Sequence, residues 1–289
     1  MRLSRRGAPA ECTLNSTFVE AYSGNPVIMT IHRRAHHVDG DLFPELEPFA
    51  EAVQQRRPDA GTWCEAWTVR DVVVHQTGNA EELARVLEAH LVGSPVDTRG
   101  FEEREAPFRA MNNADLWMAF VDRMQRLGAV ATAARELPGD RDVAWTRRTM
   151  KIPWFAEHMR EELVLHGWDI TGDDPAAQTR LGQWWMTEHS VKAVGAPLLQ
   201  RGAKQLDLRG DECVQARLRV AGTDDVVIRA DADCTTIELE PADGAPTLET
   251  DSAARVLLLW GRRPADPARI CSSVGPQALS RLRTLLSGY

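Results

Sequence analysis

The chain has 289 residues, 43 % of them hydrophobic and 26 % charged, which is the balance of a soluble globular protein long enough for one large domain or two ordinary ones. A formal net charge of −8 leaves no basic surplus to neutralise phosphates, so neither a nucleic-acid nor a membrane partner is expected. No run approaches the ~18 apolar residues of a spanning helix, and five cysteines without a CxxC pair point to reduced thiols in a cytoplasmic protein, not to a disulfide framework or a thiolate zinc site.

Residues 1–34 read as a disordered extension. They contain basic residues but no apolar segment of a secretory signal, and Met29 is an alternative start. His32, His36 and His37 fall in or beside this lead and are not taken as a site. Helical stretches follow. "FPELEPFAEAVQQRR" (43–57) is short and amphipathic. "WTVRDVVVHQTGNAEELARVLEAHLVG" (67–93) opens with Thr68 three residues before Asp71, a capping-box pattern. "NADLWMAFVDRMQRLGAVATAARELPG" (113–139) begins at an Asn cap candidate and ends at Pro-Gly. "PWFAEHMREELVLHGWDITG" (153–172) starts with Pro and ends at Gly. "RLGQWWMTEHSVKAVGAPLL" (180–199) is the fifth.

After Gly202 the period shortens. "KQLDLRG", "CVQARLRVAG", "DDVVIRAD" and "CTTIELEP" read as strands, and "TDSAARVLLLWGRR" and "GPQALSRLRTLLSG" as closing helices. The order predicts an all-α bundle over 35–202, joined near residue 203 to a smaller α+β domain over 203–289.

Polar residues interrupt two apolar faces. At about 100° per residue, Phe155, Met159, Glu162, His166 and Asp169/Ile170 share one inward stripe. A lone buried carboxylate costs roughly several kcal/mol unless it is paired or bound to a metal. His75, within a run of valines, also turns inward. Two histidines and one carboxylate form a common donor set for Zn²⁺ or Fe²⁺. The bland alternative is a buried Glu–His hydrogen bond, or an Arg from a neighbouring helix neutralising Glu162. His158 competes for the role of ligand, but His158, Glu162 and His166 drift about 80° around the helix and do not easily converge on one ion. His90 and His189 are held in reserve.

"WCEAWTVRDVVVHQTG" (63–78), "EELVLHGWDI" (161–170) and "ETDSAARVLLLWGR" (249–262) together resemble, in order, three motifs of the mycothiol-dependent maleylpyruvate isomerase family. The resemblance spans about residues 35–289. It implies a DinB-like metal-binding four-helix bundle followed by a sterol-carrier-like domain. It also implies a divalent metal, usually zinc, on His75, Glu162 and His166, and mycothiol as thiol cofactor or co-substrate. Gln76-Thr77 departs from the apolar residues usual after the first histidine.

Such a family member is an enzyme. A cation that lowers the pKa of a coordinated thiol makes a soft nucleophile for electrophilic carbon. In the isomerase branch the thiol adds to the cis double bond of maleylpyruvate, the single bond rotates, and elimination gives the trans product. In the transferase branch the thioether stays. Partners are then a small electrophile and a low-molecular-weight thiol. An anionic substrate calls for a guanidinium, and Arg262 in the late motif is the candidate, with Arg147 and Arg148 as further residues that could border the cleft. A metal-dependent hydrolase on the same bundle and a non-catalytic binder of apolar ligands are the alternatives.

Overall fold

A computed structural model describes residues 40–136, 141–146 and 148–287. The expected extension at 1–34, the alternative start Met29, His32, His36, His37, Cys12 and Arg147 lie outside the described residues. The helices are α1 (Leu46–Gln54), α2 (Val69–Leu91), α3 (Phe101–Arg109), α4 (Asn113–Ala134) and α5 (Ile152–Thr171) in the first half. Helices α1, α2, α4 and α5 pack as a four-helix bundle around Phe43, Phe49, Leu83, Leu87, Phe120, Met124, Phe155 and Met159.

Local chemistry sets the ends of these helices. Thr68 Oγ1 accepts from the Asp71 amide and the Asp71 carboxylate accepts from the Thr68 amide, so the capping box starts α2. The cap of α4 is Asn112, one residue before the expected start, and its Oδ1 accepts from the Asp115 amide at 3.0 Å. Pro153 sits in the first turn of α5, where its missing N–H is harmless. Gly172 ends α5 with φ of 76°, and a Cβ there would meet Trp63 Nε1 at 2.5 Å.

A hairpin of β1 (Asp142–Trp145) and β2 (Arg148–Lys151), not foreseen from the sequence, leads into α5 and drops Val143, Trp145 and Met150 into the bundle core. The second half contains α6 (Pro175–Leu181), α7 (Trp184–His189), a π-helical turn (Ser190–Val194) and α8 (Gly195–Leu206). Strands β3 (Val214–Arg219), β4 (Asp225–Ala230), β5 (Thr235–Glu240), β6 (Leu248–Thr250) and β7 (Ile270–Ser272) form one sheet in the order β5-β4-β3-β6-β7. Only β3 and β6 pair in parallel within it. Helices α9 (Ser252–Leu259) and α10 (Pro276–Leu286) complete the unit.

The apolar interior falls into two clusters. The first is the bundle core. The second joins Ala216, Leu218, Ile228, Val256, Leu257 and Leu285 to Val164, Leu165 and Trp168 of α5. Helix α5 therefore contributes to both, and residues all around it are buried.

Two expectations need correction, and two further strands were not foreseen. The continuous helix over 180–199 is broken: α6 ends at Gly182, and the chain restarts as α7 and passes through the π-helical turn. "KQLDLRG" is not a strand. Its Leu206 and Leu208 alternate as in a strand, but Leu198, Leu199, Gly202 and Leu206 lie at helical spacing and dock on the second core, carrying α8 through Leu206. Strands β6 and β7 are three residues each, too short to leave a periodic signal. No described helix is long and apolar enough to cross a membrane.

Helices α8 and α10 touch at Gly202, where a Cβ would lie 2.0 Å from the Leu285 carbonyl oxygen. Backbone cannot yield as a flexible side chain can. Gly202→Ala should destabilise the chain by about 1–3 kcal/mol through overpacking, read as a lower denaturant midpoint with unchanged helical content. An unchanged midpoint would show that this contact does not hold the two helices.

Candidate functional site

Helix α2 directs His75, and helix α5 directs Glu162 and His166, into one buried cluster. His75 Nε2 and His166 Nε2 each lie 3.4 Å from Glu162 Oε2. The three donor atoms are mutually within 4.8 Å. On the other side of each ring, Nδ1 faces a carboxylate. His75 Nδ1 meets Glu105 Oε1 at 2.8 Å, and Glu105 accepts from Arg109 at 2.6 Å. His166 Nδ1 lies 2.8 Å from Asp169 Oδ2. With a carboxylate against each Nδ1, the nitrogen that each imidazole turns toward Glu162 is Nε2.

The amide nitrogen of Asn79 lies 3.0 Å from both His75 Nε2 and Glu162 Oε2, so three elements of the cluster meet at one point. The donor set therefore suits a divalent ion with imidazole and carboxylate ligands. Gln76 also reaches Glu162 Oε2, at 3.4 Å. Thr77 turns back to bond the Val73 carbonyl. Trp67 stacks on His166 with ring centroids 5.6 Å apart and sets its edge against His75 at 5.0 Å.

The electrostatics follow from burial and crowding. Burial opposes the charge of Glu162, but His166, His75 and His158 around it hold its carboxyl well below the usual range. Burial likewise opposes a charge on His166, yet Asp169 and Glu162 raise it above its ordinary value. Asp169 is held far below the carboxylate range, against its burial, by Arg262 and His166.

Arg262 crosses from the end of α9 to α5. Its Nε and Nη2 donate to the two oxygens of Asp169 at 2.7 and 2.6 Å. Both prongs of the fork that was expected to meet an anionic substrate thus rest on a carboxylate of the protein, and Arg262 reaches the cluster through Asp169 and His166. Arg148, on β2, acts with burial to lower His158. His90 lies in the last turn of α2 and belongs to neither buried donor group, whereas His158 and His189 share one with Glu161.

Helix α3 was missed in the sequence because it is charged, carries Pro107 and has no apolar stripe. It supplies Glu105 and also Arg104. The Arg104 guanidinium is buried and lies 4.2 Å from the Phe101 ring centroid, without an ion pair or side-chain hydrogen bond among the described residues. Burial lowers its pKa, and Glu162 and Glu105 are the charges that counteract this most. The only signal available in sequence was an arginine beside a glutamate in a helix of acidic residues. The thiol of Cys64 is near enough to feel Asp169 and Arg262, but burial and Asp169 push it up, which disfavours the nucleophilic thiolate.

The family model for the mycothiol maleylpyruvate isomerase N-terminal domain matches residues 41–171. Among solved structures, a crystal structure of the mycothiol-dependent maleylpyruvate isomerase is similar, with a TM-score of 0.51 and 15 % identity. One of a histidine-to-alanine mutant is similar with a TM-score of 0.53 and 14 % identity. Each match covers 84 % of this chain and 92 % of the other, a larger share than residues 41–171 supply, so the likeness of fold extends into the sheet unit. No curated protein sequence matches the chain.

Arg262→Ala strands Asp169, which is fully buried. The expected cost at pH 7 is about 3–5 kcal/mol. In the wild type the depressed pKa of Asp169 contributes stability that is complete above the unfolded value of about 3.9 and is lost as pH falls through the folded value. In the variant the folded pKa rises, and protonation below it relieves the unpaired charge. The gap between wild type and variant should therefore narrow from pH 7 toward pH 4, as urea unfolding at several pH values would show. A gap independent of pH would place the loss elsewhere.

Proposed function

We propose, from the match of residues 41–171 to the family model for the mycothiol maleylpyruvate isomerase N-terminal domain, that this chain is a metal-dependent enzyme using mycothiol as thiol cofactor or co-substrate. It acts as a cis–trans isomerase of a maleylpyruvate-like substrate or as a thiol S-transferase. The observation that carries the reading is the convergence of His75 Nε2, Glu162 Oε2 and His166 Nε2 in the buried interior of the bundle. A divalent ion on these atoms, zinc in our reading, would lower the pKa of a coordinated thiol toward neutrality.

The remaining work falls to side chains. Glu105 and Asp169 hold the two imidazole rings in the tautomer a cation needs. Arg262 positions His166 through Asp169. Arg104, a buried cation without an ion pair among the described residues, is suited to receive a carboxylate of the substrate or the thiol. In this reading the nucleophile comes from outside the chain: among the described cysteines the Cys64 thiol is raised, and Cys213, Cys234 and Cys271 are exposed on the second unit.

The donor set is tested by elemental analysis. His75→Ala, Glu162→Ala and His166→Ala should each contain one ion fewer per chain than the wild type. Glu105→Gln and Asp169→Asn should keep the site but weaken it about 10–100-fold. Metal content unchanged in all three alanine variants would refute the assignment. For the reaction, the metal-loaded protein is incubated with mycothiol and a panel of electrophiles that includes maleylpyruvate. Turnover should require the thiol and survive replacement of all cysteines by serine. Hydrolysis that proceeds without thiol would instead identify a metal-dependent hydrolase.

A further inference from the structure

A second group of donors lies on the other side of Glu162. His158 and Glu161 stand three residues apart on α5, and His189 ends α7 where the π-helical turn begins. Such turns often reshape a helix at a functional site. The three side chains are 6 %, 0 % and 2 % exposed. His158 Nδ1, Glu161 Oε2 and His189 Nε2 lie mutually within 4.8 Å, and none of these buried atoms has a hydrogen-bond partner.

The surrounding contacts decide what these atoms present. His189 Nδ1 meets Glu157 Oε1 at 2.7 Å, which puts the ring proton on Nδ1 and a lone pair on Nε2. Glu161 Oε1 accepts from Ser190 Oγ at 2.5 Å and from Trp260 Nε1 at 3.1 Å, leaving Oε2 unengaged. His158 lies between two carboxylates, with Nε2 3.8 Å from Glu162 Oε1, beyond hydrogen-bond reach. Glu161 Oε2 is 3.4 Å from His189 Nε2 and 3.7 Å from His158 Nδ1. Three buried ligand-type atoms from three side chains thus face one another without a hydrogen-bond partner. A cation bound between them would satisfy all three.

We infer that His158, Glu161 and His189 form a second site for a divalent transition-metal ion, with Nδ1, Oε2 and Nε2 as its donors. Two imidazoles and a carboxylate select an ion of the zinc class over magnesium or calcium, which prefer oxygen ligands. The site ties α5 to the π-helical turn and, through Glu161, to Trp260 at the end of α9. The inference stands on its own donor atoms and does not depend on the role assigned to His75.

The full chain is stripped with chelator, reloaded with Zn²⁺, dialysed and analysed for zinc. In parallel, crystals of the reloaded wild type are examined for anomalous scattering at the zinc edge. An anomalous peak between His158, Glu161 and His189 is expected. Glu161→Gln and His189→Gln should each lose one zinc per chain. His75→Ala should lose a different one, so that His75→Ala with His189→Gln contains none. The wild-type peak needs no variant and stands even if a substitution prevents folding. Absence of the peak, or zinc content unchanged in both Glu161→Gln and His189→Gln, would overturn the second site whatever happens to the first.

Discussion

Glu162 is a carboxylate buried in the middle of a helix that feeds two hydrophobic cores. An isolated charge there would be expelled or protonated. It stays ionised because His75, His166 and His158 surround it and Asn79 and Gln76 donate to it. Each of those partners then needs its own placement, so the constraint passes outward to α2, α3 and the end of α9. The bundle can be viewed as scaffolding for one anion that is kept dry.

The outward chain has two arms of similar construction. From His75 it runs through Glu105 to Arg109 on the same short helix. From His166 it runs through Asp169 to Arg262, which belongs to the second unit. An imidazole backed by a carboxylate, itself backed by a guanidinium, has its tautomer and orientation settled before any ligand arrives. Because one arm begins beyond α9, the sheet unit takes part in orienting the donor set and is not merely a cover. The packing of Val164, Leu165 and Trp168 into the second core makes that reach rigid.

Polar groups inside this structure are not isolated defects in two hydrophobic interiors. One group gathers along α5, where both cores meet, and another around Asp225 and Arg255 in the sheet unit. Trp260 and Ser190 bond Glu161 as Arg262 bonds Asp169, so the sheet unit contacts α5 through two separate carboxylates. Separating the units would leave both carboxylates short of partners in the helix interior, which couples the integrity of the cluster to the docking of the second unit.

Much of this was legible in the amino-acid sequence. The 3.6-residue period of α2 and α5, the Thr68–Asp71 capping box and the polar interruptions at His75, Glu162 and His166 are local patterns, and local patterns survive without a fold. They sufficed for a helical bundle, a following sheet and a trio of side chains turned inward, which the structure brings together. Helix α3 was not legible, because a charged segment containing Pro107 has no period; its helicity is imposed by packing against α2. Nor was the engagement of Arg262 by Asp169, 93 residues apart in sequence. The grouping of His158, Glu161 and His189 was hidden for the same reason: helical drift separates His158 from His166 on α5, and His189 comes from another helix altogether. Spacing along one helix determines which residues share a face, whereas the partner that completes a buried charge is chosen by tertiary packing.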